Sequence, residues 1–529
     1  MLKDNLHFDA QQKLQAGIKK VAKAVGVTMG TGGSNAIIEA IENPGHLMTN
    51  DGFSIANAIV LGDPIEDMGR KMLLESINRA NKASGDGSST TCVLTEAIID
   101  EGLKHAGEAH PMDIKRSIEE CLPIIEKSLD EQTRHIVDDA GAFDLEQLEQ
   151  VATISSEDPS IGKMIADIYS QIGKTGIVYW DVSKTSEDTY TIGQGITVEG
   201  AGYTSPYMCD ATETGQNTNQ IRIKNPYILI TRQKIASAAD FNEIGAYLNG
   251  QDVKDLVVFC DEIDPLVIPD IVKTRMIRGF RFAIVKMPVL WKDWWYEDLA
   301  KATNAKIVDP AAGLPMRDLK HEHLGRVGNI VITKDETYID GIADVSEHVA
   351  TIEAEATDDS KLRASRLNTK TARYFVGAHS DSALSYRRLK VEDAISAAWQ
   401  ALNGGIVTGG GSALLNVSAV LKGSKTIGSK ILATALEAPA RRIYANAGAR
   451  VPDMFMYSGT DIGGFDSRSK KEIGDMFKAG IIDPRNVVLN ACKNAISVAA
   501  TVITAPTIVT LPREEHDANP LSQGNIAMR

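Results

Sequence analysis

Three glycine-rich segments hold the residues with the clearest chemical potential: TMGTGG at Thr28–Gly33, GDGSST at Gly85–Thr90 and TGGGS at Thr408–Ser412. The first follows a stretch of helical periodicity, and the other two lead directly into one. Successive backbone N–H groups entering a helix form a cradle for phosphate, and glycine lets that backbone approach closely. Ser88, Ser89 and Thr90 add hydroxyl donors, and Asp86, between two glycines, offers the hard oxygen that suits a phosphate-bound Mg²⁺. Any one such loop reads as a turn; the three together point to a magnesium-nucleotide site. That site is not of Walker type, because G-x-x-x-x-G-K-[ST] is absent. No G-x-G-x-x-G follows a predicted strand, and neither HExxH nor a G-x-S-x-G elbow occurs. The ten histidines show no ligand spacing.

The elements that position these loops follow from length and pattern. At 529 residues the chain exceeds one hydrophobic core and suggests roughly three or four domains. Its 56 basic against 70 acidic side chains give a net charge of −14, which argues against nucleic acid or an anionic membrane as a partner. Five scattered cysteines with no CxxC argue against a disulfide framework or zinc ribbon and suit a reducing, cytoplasmic setting. The opening MLKDNLHFDAQQK lacks the apolar region of a signal peptide. Ala495–Leu511, the most apolar late stretch, is interrupted by Thr, Ser and Pro and reads as buried core.

Along the first 130 or so residues, helices alternate with glycine-rich loops. Leu14, Ile18, Val21 and Val25 recur at helical spacing, and Asp63-Pro64 opens a further helix as cap and first residue. Acidic helices from about 133 end in the strand-like GIVYWDV. YILITRQKI, DLVVFCDEI, FAIVKMP and AKIVDP then alternate with helical stretches, predicting a largely parallel sheet, and RVGNIVITKDETYIDG predicts a hairpin. Helical character returns from about 379 and runs through GGIVTGGGSALLN to about 505. An α/β domain is thus inserted into a helical one.

At these loops the chain resembles the group I chaperonins, the bacterial GroEL family, over nearly its full length. The matching segments include NPGHLMT, TNDGFSIA, GDGSSTTCVLTEAI, HPMDIKRSIE, ATISSED, YTSPYM, KDETYIDG, VEDAISAAWQAL, GGIVTGGGSALL, LEAPARRI and GIIDPRNV. The match is that of a divergent member, of bacterial or phage origin. The resemblance implies an all-α equatorial ATP domain (1–132 and 405–529), a small α/β intermediate domain (133–190 and 377–404) and an α/β apical domain (191–376). It implies ATP, Mg²⁺ and K⁺ as cofactors. Carried over, Thr28, Met29, Gly30 and Thr31 form the first phosphate loop; Asp86 binds the metal, with Gly87, Ser88, Ser89 and Thr90 around the phosphates. Gly410, Asp466, Ser467, Ile481 and Asp483 complete the nucleotide site. Asp51 and Asp393 correspond to the residues that orient the attacking water, Asp393 arriving when the intermediate domain closes on hinges at Gly377 and Gly405. The family's Lys is replaced by Asn50 and by Gly32, its Pro by Thr31 and its Arg by Ser34.

The same resemblance implies capture of unfolded polypeptides by Tyr203, Ser205, Tyr207, Met208, Phe241, Ile244, Ile268 and Val272, in a homo-oligomeric, heptameric ring. It leaves open the need for a separate lid protein. Arg450 stands where an acid is expected opposite the basic Arg441, which predicts a weakened contact between stacked rings. Trp291, Trp294 and Trp295, at i, i+3, i+4, read as a core-facing stripe ahead of an added binding surface. The function expected is an ATP-driven folding chamber. The alternative is a passive holdase or scaffold ring, against which Asp51, Asp86 and Asp393 together argue.

Overall fold

A computed structural model describes residues 6–8, 11–39, 46–138, 141–210, 220–237, 255–278, 281–288, 292–355, 357–367, 369–505 and 507–509. The chain divides into two compact units: Met1–Ile38, His46–Ala166 and Ser385–Arg529 form one, and Glu39–Gly45 and Asp167–Leu384 the other. The segments expected to make an intermediate domain are shared between them. Residues 133–166 and 385–404 belong to the first unit, 167–190 and 377–384 to the second.

The first unit is a helical body whose elements begin and end for local reasons. Gln11–Gly26 buries Leu14, Ile18, Val21 and Val25 on one stripe. Pro64–Ser84 starts where Asp63 accepts from the amides of Ile65 (2.8 Å) and Glu66 (3.2 Å), and it stops at Gly85 in the left-handed conformation. Arg485–Ile503 is long and apolar enough to cross a membrane, but it is the core helix here: Val488, Leu489, Cys492, Ala495, Ile496, Ala499 and Ile503 are buried. The all-α expectation needs correcting, because short two-stranded ribbons also occur. Leu6–Phe8 pairs with Thr507–Val509, and Gly464–Asp466 with Lys471–Ile473. Ile406–Thr408, within the segment read as helical, is instead a strand paired with Ile482–Pro484. Its three residues are all buried, and two of them are β-branched aliphatics that suit a strand.

The second unit contains the inserted sheets. Ile307–Val308, Tyr227–Thr231, Asp255–Cys260 and Arg281–Lys286 run parallel in that order, with Gly325–Arg326 antiparallel to Tyr227–Thr231. These are the β-rich runs seen in the sequence, and Leu256, Val257, Val258, Phe259 and Cys260 are consecutively buried, as a strand covered on both faces requires. A six-stranded sheet orders Ile177–Val182, Thr369–Val376, Thr189–Glu199, Glu336–Asp340, Asn329–Ile332 and Ile221–Lys224, and includes the expected hairpin. Its first pair is parallel and the rest are antiparallel.

Both expected hinge glycines occupy positions that demand glycine. Gly405 has φ +74°, and a Cβ there would meet Thr133 at 2.6 Å. A Cβ on Gly377 would lie 2.4 Å from the Glu187 backbone, and its N–H donates to Asp188 Oδ1 at 2.7 Å. Of the tryptophans, Trp295 is buried in the second unit's core and Trp294 is half-buried beneath Arg363; Trp291 lies outside the described residues. The core-facing reading therefore holds for Trp295.

Arg363 also grips the buried Asp298 through Nε (3.0 Å) and Nη2 (2.6 Å), while His348 Nε2 lies 2.8 Å from the same carboxylate. Removing one partner of such a buried pair strands the other charge. Asp298→Ala should cost about 3–5 kcal/mol and unfold the second unit at lower denaturant; an unfolding midpoint equal to that of the wild type would contradict this.

Candidate nucleotide and metal site

The first unit holds a cavity of about 650 Å³. Its wall brings together every residue assigned above to nucleotide or hydrolytic water: Thr28, Met29, Gly30, Thr31, Asp51, Asp86, Gly87, Ser88, Ser89, Thr90, Asp393, Gly410, Asp466, Ser467, Ile481 and Asp483. Two helix N-termini open into this wall. Ser88–Lys104 starts after Gly87 (φ +89°) and Ser412–Lys422 after Gly411 (φ +82°), and neither has a side-chain cap. Their first-turn amides and positive dipole ends suit an anion.

The carboxylates stand at fixed points around these amides. Asp51 caps Gly52–Ala58, accepting from Phe53 N (3.2 Å) and Ser54 N (2.8 Å). Asp86 accepts from Gly87 N (2.5 Å) and from Ser155 Oγ (3.2 Å). Asp393 projects from Asp381–Gly404 into the wall, already in the same compact unit as Asp51 and Asp86. In this structure it therefore already lines the same cavity as Asp51 and Asp86. Burial, then the charges of Asp86 and Asp51, hold the Asp393 carboxyl well above its usual range. Burial raises Asp86 as well, against its bonds to Gly87 and Ser155. Asp483 is pushed up to about 7 by burial and by Asp86.

These residues fit a magnesium nucleotide. The carboxyls supply hard oxygens, yet no trio of His, Cys, Asp or Glu among the described residues is placed to hold a bare ion. Mg²⁺ ordinarily takes one or two carboxylates together with substrate phosphates and water. Thr408 Oγ1 and Gln150 Oε1 are buried in the same wall without a hydrogen-bond partner, so polar contacts remain to be made there. Met29, Ile443 and Phe465 add apolar surface, and Phe465 stacks on Tyr444 at 3.8 Å. Thr31 and Ser467 are joined by a hydroxyl–hydroxyl hydrogen bond that ties the first loop to the Gly464–Ile473 hairpin.

Sequence reasoning missed Lys390, Glu157 and Ser155 as members of this wall. Lys390 precedes Asp393 by three residues, a spacing that puts both on one helix face. Glu157 and Ser155 lie in or beside the ATISSED segment already noted. In all, seven carboxylate residues (Asp51, Asp86, Glu149, Glu157, Asp393, Asp466 and Asp483) line the cavity, against Lys390 and Arg468.

The fold and the site define a chaperonin subunit. Two crystal structures of the chaperonin gp146 from bacteriophage EL 2 (Pseudomonas aeruginosa), obtained in the presence of ATP-BeFx, share the fold. Form II gives a TM-score of 0.67 at 16% identity, over 97% of this chain and 100% of that one. Form I gives 0.63 at 16%, over 96% and 99%. Chaperonin GroEL 1 of Corynebacterium efficiens is 32% identical over 96% of this chain and 96% of its own. The pattern of the TCP-1/cpn60 chaperonin family matches residues 21–254 and 249–512. The chain belongs to that family, and its function class is that of a chaperone.

The raised Asp483 carboxyl makes stability depend on pH. Folded Asp483 keeps its proton up to about 7, whereas the unfolded chain releases it near 3.8. Between those values the folded state binds more protons, so stability falls as pH rises. Asp483→Asn, neutral throughout, should soften that fall, gaining at least about 1 kcal/mol over wild type at pH 8 relative to pH 4. Parallel thermal-stability curves for the two nucleotide-free proteins across that range would contradict the assignment.

Proposed function

We propose that the chain is an ATP-hydrolysing folding chaperonin of the cytoplasm, working as a homo-oligomeric, heptameric ring on unfolded polypeptides. The observation that carries this reading is the meeting of two uncapped helix N-termini with Asp51, Asp86 and Asp393 around one cavity. The helix-end amides and the hydroxyls of Ser88, Ser89 and Thr90 bind the phosphates, and Asp86 holds Mg²⁺. The metal, when bound, neutralises phosphate charge and polarises the phosphoryl oxygens. Asp51, fixed by two amides, and Asp393 orient the attacking water and accept its proton, a role to which a carboxyl with a raised pKa is suited. K⁺ belongs to the same reading as a second cation. Retention of all three carboxylates favours an ATP cycle over a passive holdase.

Client capture falls to the second unit, where Tyr207 and Leu266 are 79% and 84% exposed. Tyr203, Ile268 and Val272 are partly buried against the core beneath. Two expected contacts are corrected: Met208 is fully buried and Ser205 nearly so, capping the Pro206–Met208 turn, so both support this surface from below. Phe241 and Ile244 lie outside the described residues. Weakened ring stacking also loses its support from unbalanced arginines. Arg441 binds Glu437 (2.6 Å) and Arg450 lies 3.7 Å from Asp453, so each arginine has an acid in its own chain.

ATPase turnover with Mg²⁺, with and without a denatured protein, tests the proposal. Asp393→Ala should bind ATP as well as the wild type or better, since it relieves repulsion, yet turn over at least about tenfold more slowly. Asp86→Ala should weaken Mg-ATP binding itself. Equal loss of affinity in both variants would refute the separate roles. Leu266→Glu and Tyr207→Glu, on exposed positions, should lose retention of a denatured client and keep basal ATPase, because a charge in an apolar contact must be desolvated. Undiminished retention would place capture elsewhere.

A further inference from the structure

We infer that Lys390 is the side chain that receives the terminal phosphates of the nucleotide in this protein, and that Glu157 holds its ammonium beside residue 50 until they arrive. This rests on the nucleotide reading above and assigns one more binding residue to the same site. The starting point is a deficit. A polyphosphate carries about four negative charges, and desolvating it among carboxylates is costly without cations. Asn50, which also lines the wall, brings no charge to it. Of the two cationic residues in the wall, Arg468 is exposed, whereas Lys390 is 6% exposed.

The geometry places Lys390 where that charge is missing. Asn50 Nδ2 donates to Glu157 Oε1 at 2.8 Å, and Lys390 Nζ donates to the same oxygen at 2.9 Å. Two donors on one oxygen are no more than about 6 Å apart, so the ammonium occupies the surroundings of the residue 50 side chain. It lines the same wall as Asp86 and Asp393 and lowers the proton hold of both. An ammonium has three N–H donors on a flexible four-carbon stem, so it can turn to a phosphate oxygen with no backbone movement.

Glu157 holds its carboxylate in the wall at a backbone cost. It ends the Leu145–Ser156 helix at φ +60°, a left-handed conformation that costs a non-glycine residue of order 1 kcal/mol. Glycine or asparagine would close that helix with less strain. Glutamate there puts a carboxylate in the cavity wall, where it keeps a buried lysine charged and shares it with Asn50. Once phosphate is present, Glu157 and the phosphate compete for the same ammonium, and Asn50 remains to satisfy the Glu157 oxygen.

The test is calorimetric binding of Mg-ATPγS and of AMP to the assembled protein, for wild type, Lys390→Met, Lys390→Arg and Glu157→Gln. Lys390→Met should weaken the triphosphate at least about tenfold and leave AMP within about twofold; Lys390→Arg should restore most of the loss. Glu157→Gln should tighten the triphosphate, since it removes the competing charge while keeping a polar partner for Asn50. A pair that only braces the fold gives the opposite pattern for Glu157→Gln, with weaker binding of both ligands and a lower melting temperature, and would overturn the inference. Should Lys390→Met fail to fold, the rise or fall of affinity in Glu157→Gln decides alone. Wild type that binds neither ligand would overturn the nucleotide reading itself; wild type that binds both, with Lys390→Met indistinguishable from it, would overturn this inference only.

Discussion

The structure depends on like charges held together. Asp51, Asp86, Asp393 and Asp483 line one cavity; beyond burial, Asp86 raises the hold of Asp393 and Asp483 on a proton, and Asp51 that of Asp86 and Asp393. In water these groups would separate. Here the backbone prevents it: Asp51 is pinned by the amides of its helix, Asp86 by Gly87 and Ser155, and Asp393 by its place within a 24-residue helix. Keeping carboxylates this close costs stability that other parts of the unit must offset, chiefly the buried faces of Gln11–Gly26 and Arg485–Ile503. On the proposed reading a divalent cation relieves this crowding and so couples nucleotide binding to metal.

Helix N-termini in this unit are closed in different ways. At several, a side chain accepts an amide of the first turn, as Asp63, Asp144 and Thr426 do, and Asp51 does so at the cavity itself. At two that meet the cavity, glycine stands at the cap and no side chain covers the first-turn amides: Gly87 and Gly411. Positive φ at both explains why no side chain could cap them. The acid-rich wall and the bare helix ends are complementary parts: one suits a cation, the other an anion, and on the proposed reading a metal-bound phosphate supplies both.

Much of this was legible from residue order. The parallel strands were visible as Val- and Ile-rich runs because a strand covered on both faces needs no polar alternation. Asp63-Pro64 announced its helix by cap chemistry, and the glycine loops announced the cavity by type. What residue order hid was tertiary. Ile406–Thr408 sat between glycines in a helical region, and only pairing with Ile482–Pro484 makes it a strand. Met208 looked like a surface residue beside Tyr207, but the turn capped by Ser205 points it inward. Lys390 and Glu157 are 233 residues apart, and no local pattern joins them. Arg441 and Arg450 are a different case, because their acids, Glu437 and Asp453, stand four and three residues away and were open to a local reading.

The central claim is that the clustered carboxylates are one half of a metal-nucleotide site, incomplete without a divalent cation. Its most direct test is the affinity of the intact protein for ATP in Mg²⁺ and in excess chelator, read by calorimetry at one ionic strength. The account predicts binding at least about tenfold weaker without the metal, since phosphate must then face the carboxylates alone. Equal affinity in the two conditions would contradict it.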